Sequence, residues 1–121
     1  MPVRTNDGRD GSTRLNDPPV LILTSLASGP KHGYALLQDI EEFAGVRLGP
    51  GTLYGAISRL EERGLIEPLD GTGRRRPYRL SAAGAEALAT TLADLRVIVD
   101  EGTSRLSGRT APRIAIMGVA T

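Results

Sequence analysis

The sequence predicts a mostly α-helical chain with one small β-hairpin and a long helix near its C-terminal end. Three observations carry that prediction. Apolar segments with helical character, bounded by Pro and Gly, follow one another from residue 18 to 64. Two short strand-like runs then flank Asp70-Gly71-Thr72-Gly73, a turn composition. Finally, Leu88, Leu92, Leu95, Val99 and Leu106 are separated by four, three, four and seven residues, which is a heptad-like seam.

Composition narrows the classes open to this chain. Its 121 residues allow one small domain plus tails. Aromatic residues make up 3% (Tyr34, Phe43, Tyr54 and Tyr78), so the core is built from Leu, Ile, Val and Ala. A domain this small buries a modest share of its surface, and an oligomeric interface would add stability. With no cysteine there is no disulfide, thiolate nucleophile or cysteine zinc site. No apolar stretch approaches the roughly 20 residues needed to span a bilayer, and residues 1–17 hold no hydrophobic leader segment. The expectation is a soluble cytoplasmic protein with no membrane partner. The net charge is only +1, but Arg74, Arg75, Arg76 and Arg79 lie in a segment, 71–79, that contains no acid. A nearly neutral protein with one concentrated basic loop can still bind a polyanion locally.

Residues 1–17 are polar and without apolar period, and read as a disordered N-terminal arm. Asp17-Pro18-Pro19 opens the first helix, with Asp as cap and Pro in the first turn. Val20, Leu21, Ile22, Leu23 and Leu26 make it apolar on most faces, and Ser28-Gly29-Pro30 stops it. A second helix spans from about His32 to Gly45, with Tyr34, Leu37, Ile40, Glu41 and Ala44 following its inward stripe approximately, Glu41 as the expected solvated exception at its edge, and Leu36 and Phe43 beside it. The third runs from Pro50 to Gly64, where Leu53, Ile57 and Leu60 form one apolar face and Thr52, Ser58, Arg59, Glu62 and Arg63 the other. Leu65–Leu69 and Arg76–Leu80 read as the two strands, with Pro68 suited to an edge. Ser81 caps a last helix from about Ala82 to Arg105, whose seam is interrupted at Gly102. The resulting organisation is an arm at 1–17, a DNA-binding domain at 18–81, a dimerisation helix at 82–106 and an unassigned tail at 107–121. No internal repeat is visible.

Helix, helix, helix, strand, strand is the order of a winged helix-turn-helix, with the hairpin as wing. The run Leu48-Gly49-Pro50-Gly51-Thr52-Leu53-Tyr54, continuing to Gly64-Leu65-Ile66, resembles the recognition helix and following strand of the PadR family of bacterial transcriptional regulators. Gly73-Arg74-Arg75-Arg76-Pro77-Tyr78-Arg79-Leu80-Ser81-Ala82-Ala83-Gly84 resembles that family's wing and the entry to its dimerisation helix. Pro30-Lys31-His32-Gly33-Tyr34 is similar to its second-helix start. The resemblance covers about residues 18–106. It implies a homodimer that binds a palindromic double-stranded DNA operator and often represses transcription until an effector binds. Gly49 departs from the pattern, since Ser or Thr would cap the third helix better; glycine there costs only a few tenths of a kcal/mol.

Each candidate contact has a plainer alternative. Thr52 and Tyr54 sit near the N-terminus of the third helix, where free amides and a partial positive charge suit a phosphate; they could equally be a helix-start and packing pair. Ser58 and Arg59 lie further along, and Arg can pair bidentately with guanine. Arg74, Arg75 and Arg76 sit at a hairpin tip that would meet the flanking groove, or else form a solvated charged turn. Arg79 can pair with a carboxylate. Lys31 and His32 can touch a phosphate, or His32 can simply bond at the helix start. Tyr34 reads as core, with its hydroxyl within reach of DNA. For dimerisation the candidates are Leu21 on the apolar first helix and Leu88, Leu92, Leu95, Val99 and Leu106 on the last, which is longer than a small three-helix core can cover.

Catalysis finds no support. Glu41-Glu42 and Glu61-Glu62 are neighbours on helices, about 100° apart around the axis, and do not converge. One His and no Cys leave neither a metal cluster nor a nucleophile–base pair. Gly49-Pro50-Gly51 has the spacing of neither a Walker loop nor a dinucleotide-binding fingerprint. The reading is therefore a non-enzyme without cofactor or metal. A winged-helix protein-interaction module that does not touch DNA is the alternative, favoured slightly by the near-neutral charge. Any small-molecule effector is unidentified and is expected in an aliphatic cavity between the first and last helices.

Overall fold

The computed structural model describes residues 17–110. In chain order these form α1 (Pro18–Leu26), α2 (Gly33–Ala44), α3 (Pro50–Glu62), β1 (Ile66–Pro68), a 3-10 turn (Gly73–Arg75), β2 (Tyr78–Leu80) and α4 (Ala82–Thr110). The chain divides between Leu88 and Ala89 into two compact units. The arm at 1–16 and the tail from 111 lie outside the described residues, so the expectations for them have no structural counterpart.

α1 is the centre of the first unit. It packs against α2, α3 and β2, and Leu21, Ile22, Leu23 and Leu26 are buried together with Leu36 and Ile40 of α2 and Leu53, Ile57 and Leu60 of α3. That is why α1 is apolar on most faces: it has neighbours on most faces. Asp17 is at its N-cap, ahead of two prolines, although the Asp17 side chain makes no capping bond. The one buried polar side chain of this core is Ser25, 2% exposed, and its hydroxyl donates to Asp39 Oδ2 of α2 at 2.5 Å. A hydroxyl in such a place must be hydrogen-bonded, and here the bond ties α1 to α2.

α2 corrects the predicted stripe. Its buried residues are Gly33, Leu36 and Ile40. These lie within about 60° of one another at 100° per residue, while Tyr34 falls off that face; Glu41, expected at the solvated edge, is exposed. Tyr34 is accordingly 64% exposed, and Phe43, near the helix end, is half-exposed. Gly45 ends the helix at φ 68°, with its N–H on the Glu41 carbonyl, a left-handed residue where glycine is least strained. α3 buries Leu53, Ala56, Ile57 and Leu60, as its apolar period predicts.

The hairpin is antiparallel, with Ile66 opposite Leu80, Glu67 opposite Arg79 and Pro68 opposite Tyr78. Both strands are shorter than predicted, and Arg76 lies in the connection rather than in β2. The reason is the turn: Gly71 adopts φ 152°, and a Cβ there would come within 2.9 Å of the Arg76 Cα, so the chain has already left strand geometry. Lys31 pairs with Tyr78 on the far side of β2, through N–H···O bonds of 3.1 and 2.9 Å. The short loop between α1 and α2 thus adds one rung to the wing.

Ser81 joins α3 to α4. Its hydroxyl accepts from the Gly84 N–H at 3.0 Å and donates to the Gly64 carbonyl at 2.7 Å, so the predicted cap is present. Gly84 lies against the Leu65 backbone, where a Cβ would overlap the carbonyl oxygen. Leu88, 6% exposed, closes this side of the core. In the second unit α4 continues to Thr110, several residues past the predicted end and straight through Gly102. One glycine costs a long helix only about 1 kcal/mol. Leu92, Val97, Ile98, Val99 and Leu106 are all exposed on this stretch, and Arg105 pairs with Glu101 one turn back at 2.7 Å.

Candidate nucleic-acid interface

The outward side of α3 presents Gly51, Thr52, Ser58 and Arg59 to solvent, with Gly55 between them. A Cβ built at Gly55 would stand 3.7 Å from an Arg59 guanidinium nitrogen. The Arg59 side chain therefore lies back over Gly55 toward the start of the helix, the direction in which helical side chains lean. Gly49 at the N-cap offers no side chain to the first-turn amides. The start of α3 combines exposed backbone donors, a hydroxyl at Thr52 and, one turn on, a guanidinium.

The wing comes to the same place. The turn Gly73–Arg75 packs beside α2, and Gly73 faces the start of α3 across a cavity of about 430 Å³ lined by Pro50, Gly51, Tyr54, Gly73 and Tyr78. Arg74 is the middle residue of that turn; Arg75 is exposed and Arg76 half-buried. Arg79 belongs to the strand, where Nε donates to Glu67 Oε1 at 2.9 Å, a pairing with a carboxylate. The Tyr78 phenol has a raised pKa, first because it is partly buried and then because the Glu61 carboxylate faces it, with Arg76 opposing.

The start of α2 holds the remaining candidates, each differently used. Lys31 Nζ donates to the Ser25 carbonyl at 2.6 Å and to Ser28 Oγ at 2.7 Å. Its charge sits at the C-terminal end of α1, where a cation is favourable, so Lys31 is committed within the domain. His32 is the N-cap of α2, its Nδ1 accepting from the Ala35 N–H at 3.4 Å. The exposed Tyr34 hydroxyl accepts from Gln38 Nε2 at 3.3 Å. Tyr54 is half-buried against the core, and its ring lies over Gly33. Sequence reasoning missed this last contact and the Lys31–Tyr78 rung. Both join residues more than twenty positions apart, and only the Lys31-His32-Gly33-Tyr34 run marked the place.

The dimerisation candidates separate into two groups. Leu21 and Leu88, 4% and 6% exposed, belong to the core of the first unit. This corrects their assignment to a seam, because their surface is already spent within the domain. Leu92, Val99 and Leu106 are exposed and Leu95 half-buried; Leu92, Leu95 and Val99 line a shallow groove with Ala89, Ala93 and Arg96. Among the described residues no cluster of His, Cys, Asp or Glu could hold a metal ion, and no helix is long and apolar enough to cross a membrane.

Three helices, a two-stranded wing and a long trailing helix define a winged-helix protein of the kind built to present its third helix. The profile of the transcriptional regulator PadR-like family matches residues 22–90. The chain is 47% identical over 96 residues to an uncharacterised 37.1 kDa protein of transposon Tn4556 from Streptomyces fradiae, covering 79% of this chain and 26% of that protein. It is 41% identical over 71 residues to the transcriptional regulator Rv3488 of Mycobacterium tuberculosis, covering 55% of this chain and 64% of that one. These alignments span between about a quarter and just under two thirds of the relatives' lengths. Among solved structures, a PadR family transcriptional regulator from Eggerthella lenta superposes with a TM-score of 0.65 at 29% identity, covering 79% of this chain and 87% of that one. The chain belongs to the PadR-like family of transcriptional regulators.

Proposed function

We propose that this protein is a homodimeric, sequence-specific DNA-binding regulator of transcription, acting as a repressor from the cytoplasm, and not an enzyme. The observation that carries the reading is the meeting of two elements: the start of α3, at Pro50, Gly51 and Tyr54, and Gly73 of the arginine turn line one cavity, and the same two elements carry the exposed Thr52, Ser58, Arg59 and Arg75. α3 enters the major groove, its N-terminal amides and Thr52 holding a phosphate while Arg59 pairs with a base edge. Arg75, with Arg74 and Arg76 beside it, meets the backbone or minor groove alongside. His32 and Tyr34, at the start of α2, lie toward the flanking phosphates. In this division residues 18–81 read DNA and the exposed seam Leu92, Leu95, Val99 and Leu106 pairs two copies. A palindromic operator follows from that two-fold symmetry, with half-sites about 10 base pairs apart or a multiple of that spacing.

The test is an anisotropy titration of the purified protein on the DNA upstream of its own gene, against a random duplex, at two salt concentrations. Tight binding that prefers the upstream fragment and weakens steeply with salt is expected, because phosphate contacts release counterions. Binding to neither duplex at low salt would favour instead a protein-interaction module, a use to which the acidic Glu61 and Glu62 on α3 would lend themselves.

A further inference from the structure

We propose that the contact between Gly33 and Tyr54 seats α3 against α2, so that Tyr54 acts as a positioning residue for DNA reading rather than as a DNA contact. The proposal rests on the DNA-binding function above. A Cβ placed on Gly33 would overlap the Tyr54 hydroxyl and come within 2.7 Å of Cζ and 3.2 Å of a ring carbon. Gly33 is helical and buried, so no left-handed backbone calls for glycine. Room for the Tyr54 ring is the one demand the structure places on that position.

The contact joins α3 to α2 directly and to the wing through Lys31. Tyr54 belongs to the first turns of α3 and packs on the core. Gly33 begins α2, and Lys31, two residues earlier, pairs by backbone with Tyr78 of the wing. Tyr54 and Tyr78 also line the same cavity beside Gly73. The depth to which Tyr54 settles onto Gly33 therefore fixes where the start of α3 stands relative to the start of α2 and to the wing. Interiors are close-packed, so one added methyl is transmitted as a shift of a neighbour rather than absorbed. The side chains that shift with α3 are Thr52, Ser58 and Arg59.

A double-mutant cycle tests this, using Gly33→Ala, Tyr54→Leu and the pair, with thermal unfolding and titration of the upstream and random duplexes for each. Gly33→Ala is expected to lower both the melting temperature and the preference for the upstream duplex. Removing the ring removes the clash, so the double variant should match Tyr54→Leu alone, with a coupling of about tenfold in affinity. Should Gly33→Ala not fold, recovery of folding in the double variant makes the same point. Losses that add independently would overturn the proposal, since a tyrosine contacting DNA loses its contribution whatever stands at position 33. A Gly33→Ala protein indistinguishable from wild type would overturn it too. A wild type that binds neither duplex defeats the DNA-binding function and with it the role in DNA reading, whereas additive losses in the thermal cycle, which needs no DNA, defeat the contact itself.

Discussion

Every Leu, Ile and Val from residue 18 to 88 is buried or half-buried within its own unit, whereas from 89 to 110 only Leu95 is even half-buried. Leu88 and Leu92 stand one turn apart on the same helix, at 6% and 45% exposure. The first region accounts for its own apolar residues. The second carries a similar density of them and leaves Val97, Ile98 and Val99 in solvent. Exposed apolar surface of this extent is what an interaction site offers, and in the proposed function its heptad spacing pairs it with the same helix of a second copy. One helix thus begins as part of a core and continues with its apolar side chains exposed.

The sharpest way to break that contrast is to remove a side chain from each region. Ile57→Ala, in the closed core, is expected to cost about 2–5 kcal/mol in chemical denaturation, the usual range for a buried aliphatic truncation. Leu92→Asp combined with Val99→Asp should instead leave a folded domain and shift sedimentation from dimer to monomer, weakening association by about 100-fold or more. A loss of domain stability equal to that of Ile57→Ala would erase the distinction between the two regions.

Within the proposed DNA-reading side a second contrast can be sharpened. Arg59→Ala should cost about 1–3 kcal/mol on the cognate duplex and relax base preference, while Arg75→Ala weakens all duplexes alike and lowers the salt slope by about one. Equal losses on specific and random DNA for both would take base reading away from Arg59. Arg79→Ala, by contrast, breaks an ion pair whose partners are both about half exposed. A double-mutant cycle with Glu67→Ala should give no more than about 1 kcal/mol.

The smallest expected effect is alkaline. The Tyr78 pKa is raised in the folded state, first by burial and then by Glu61. Below the ordinary tyrosine value of about 10 both states hold the proton, and stability is unaffected by pH. Above it the unfolded chain releases its proton first, so stability falls as the pH rises through the folded-state value. Tyr78→Phe should flatten that slope in pH-dependent melts; an unchanged slope would assign it to other groups.

Most of the fold was legible because local rules decide it. Pro50 and Gly64 bracket α3, Gly45 ends α2, and Ser81 caps α4. What the sequence hid were consequences of distant neighbours. Tyr34 looked like core because an aromatic near a stripe usually is, yet the stripe centres on Gly33, Leu36 and Ile40. Lys31 looked available to a phosphate, but its ammonium is held by Ser25 and Ser28. The seam pattern of Leu88 through Leu106 runs across the boundary between units, and periodicity cannot distinguish a leucine that packs inside its own domain from one that packs against a copy. Residue type and spacing did give the exposure of Thr52, Arg59 and Arg75, because the far side of an apolar helix face and a hairpin tip follow from local geometry alone.

A hydroxyl-radical footprint on the DNA upstream of the gene tests the central claim most directly, since it reads DNA contact and pairing together. Two protected patches related by a dyad, about 10 base pairs apart or a multiple of that spacing, are expected from the wild type, and loss of both together from the Leu92→Asp, Val99→Asp variant. A single patch without symmetry, or protection that survives in that variant, would contradict the account.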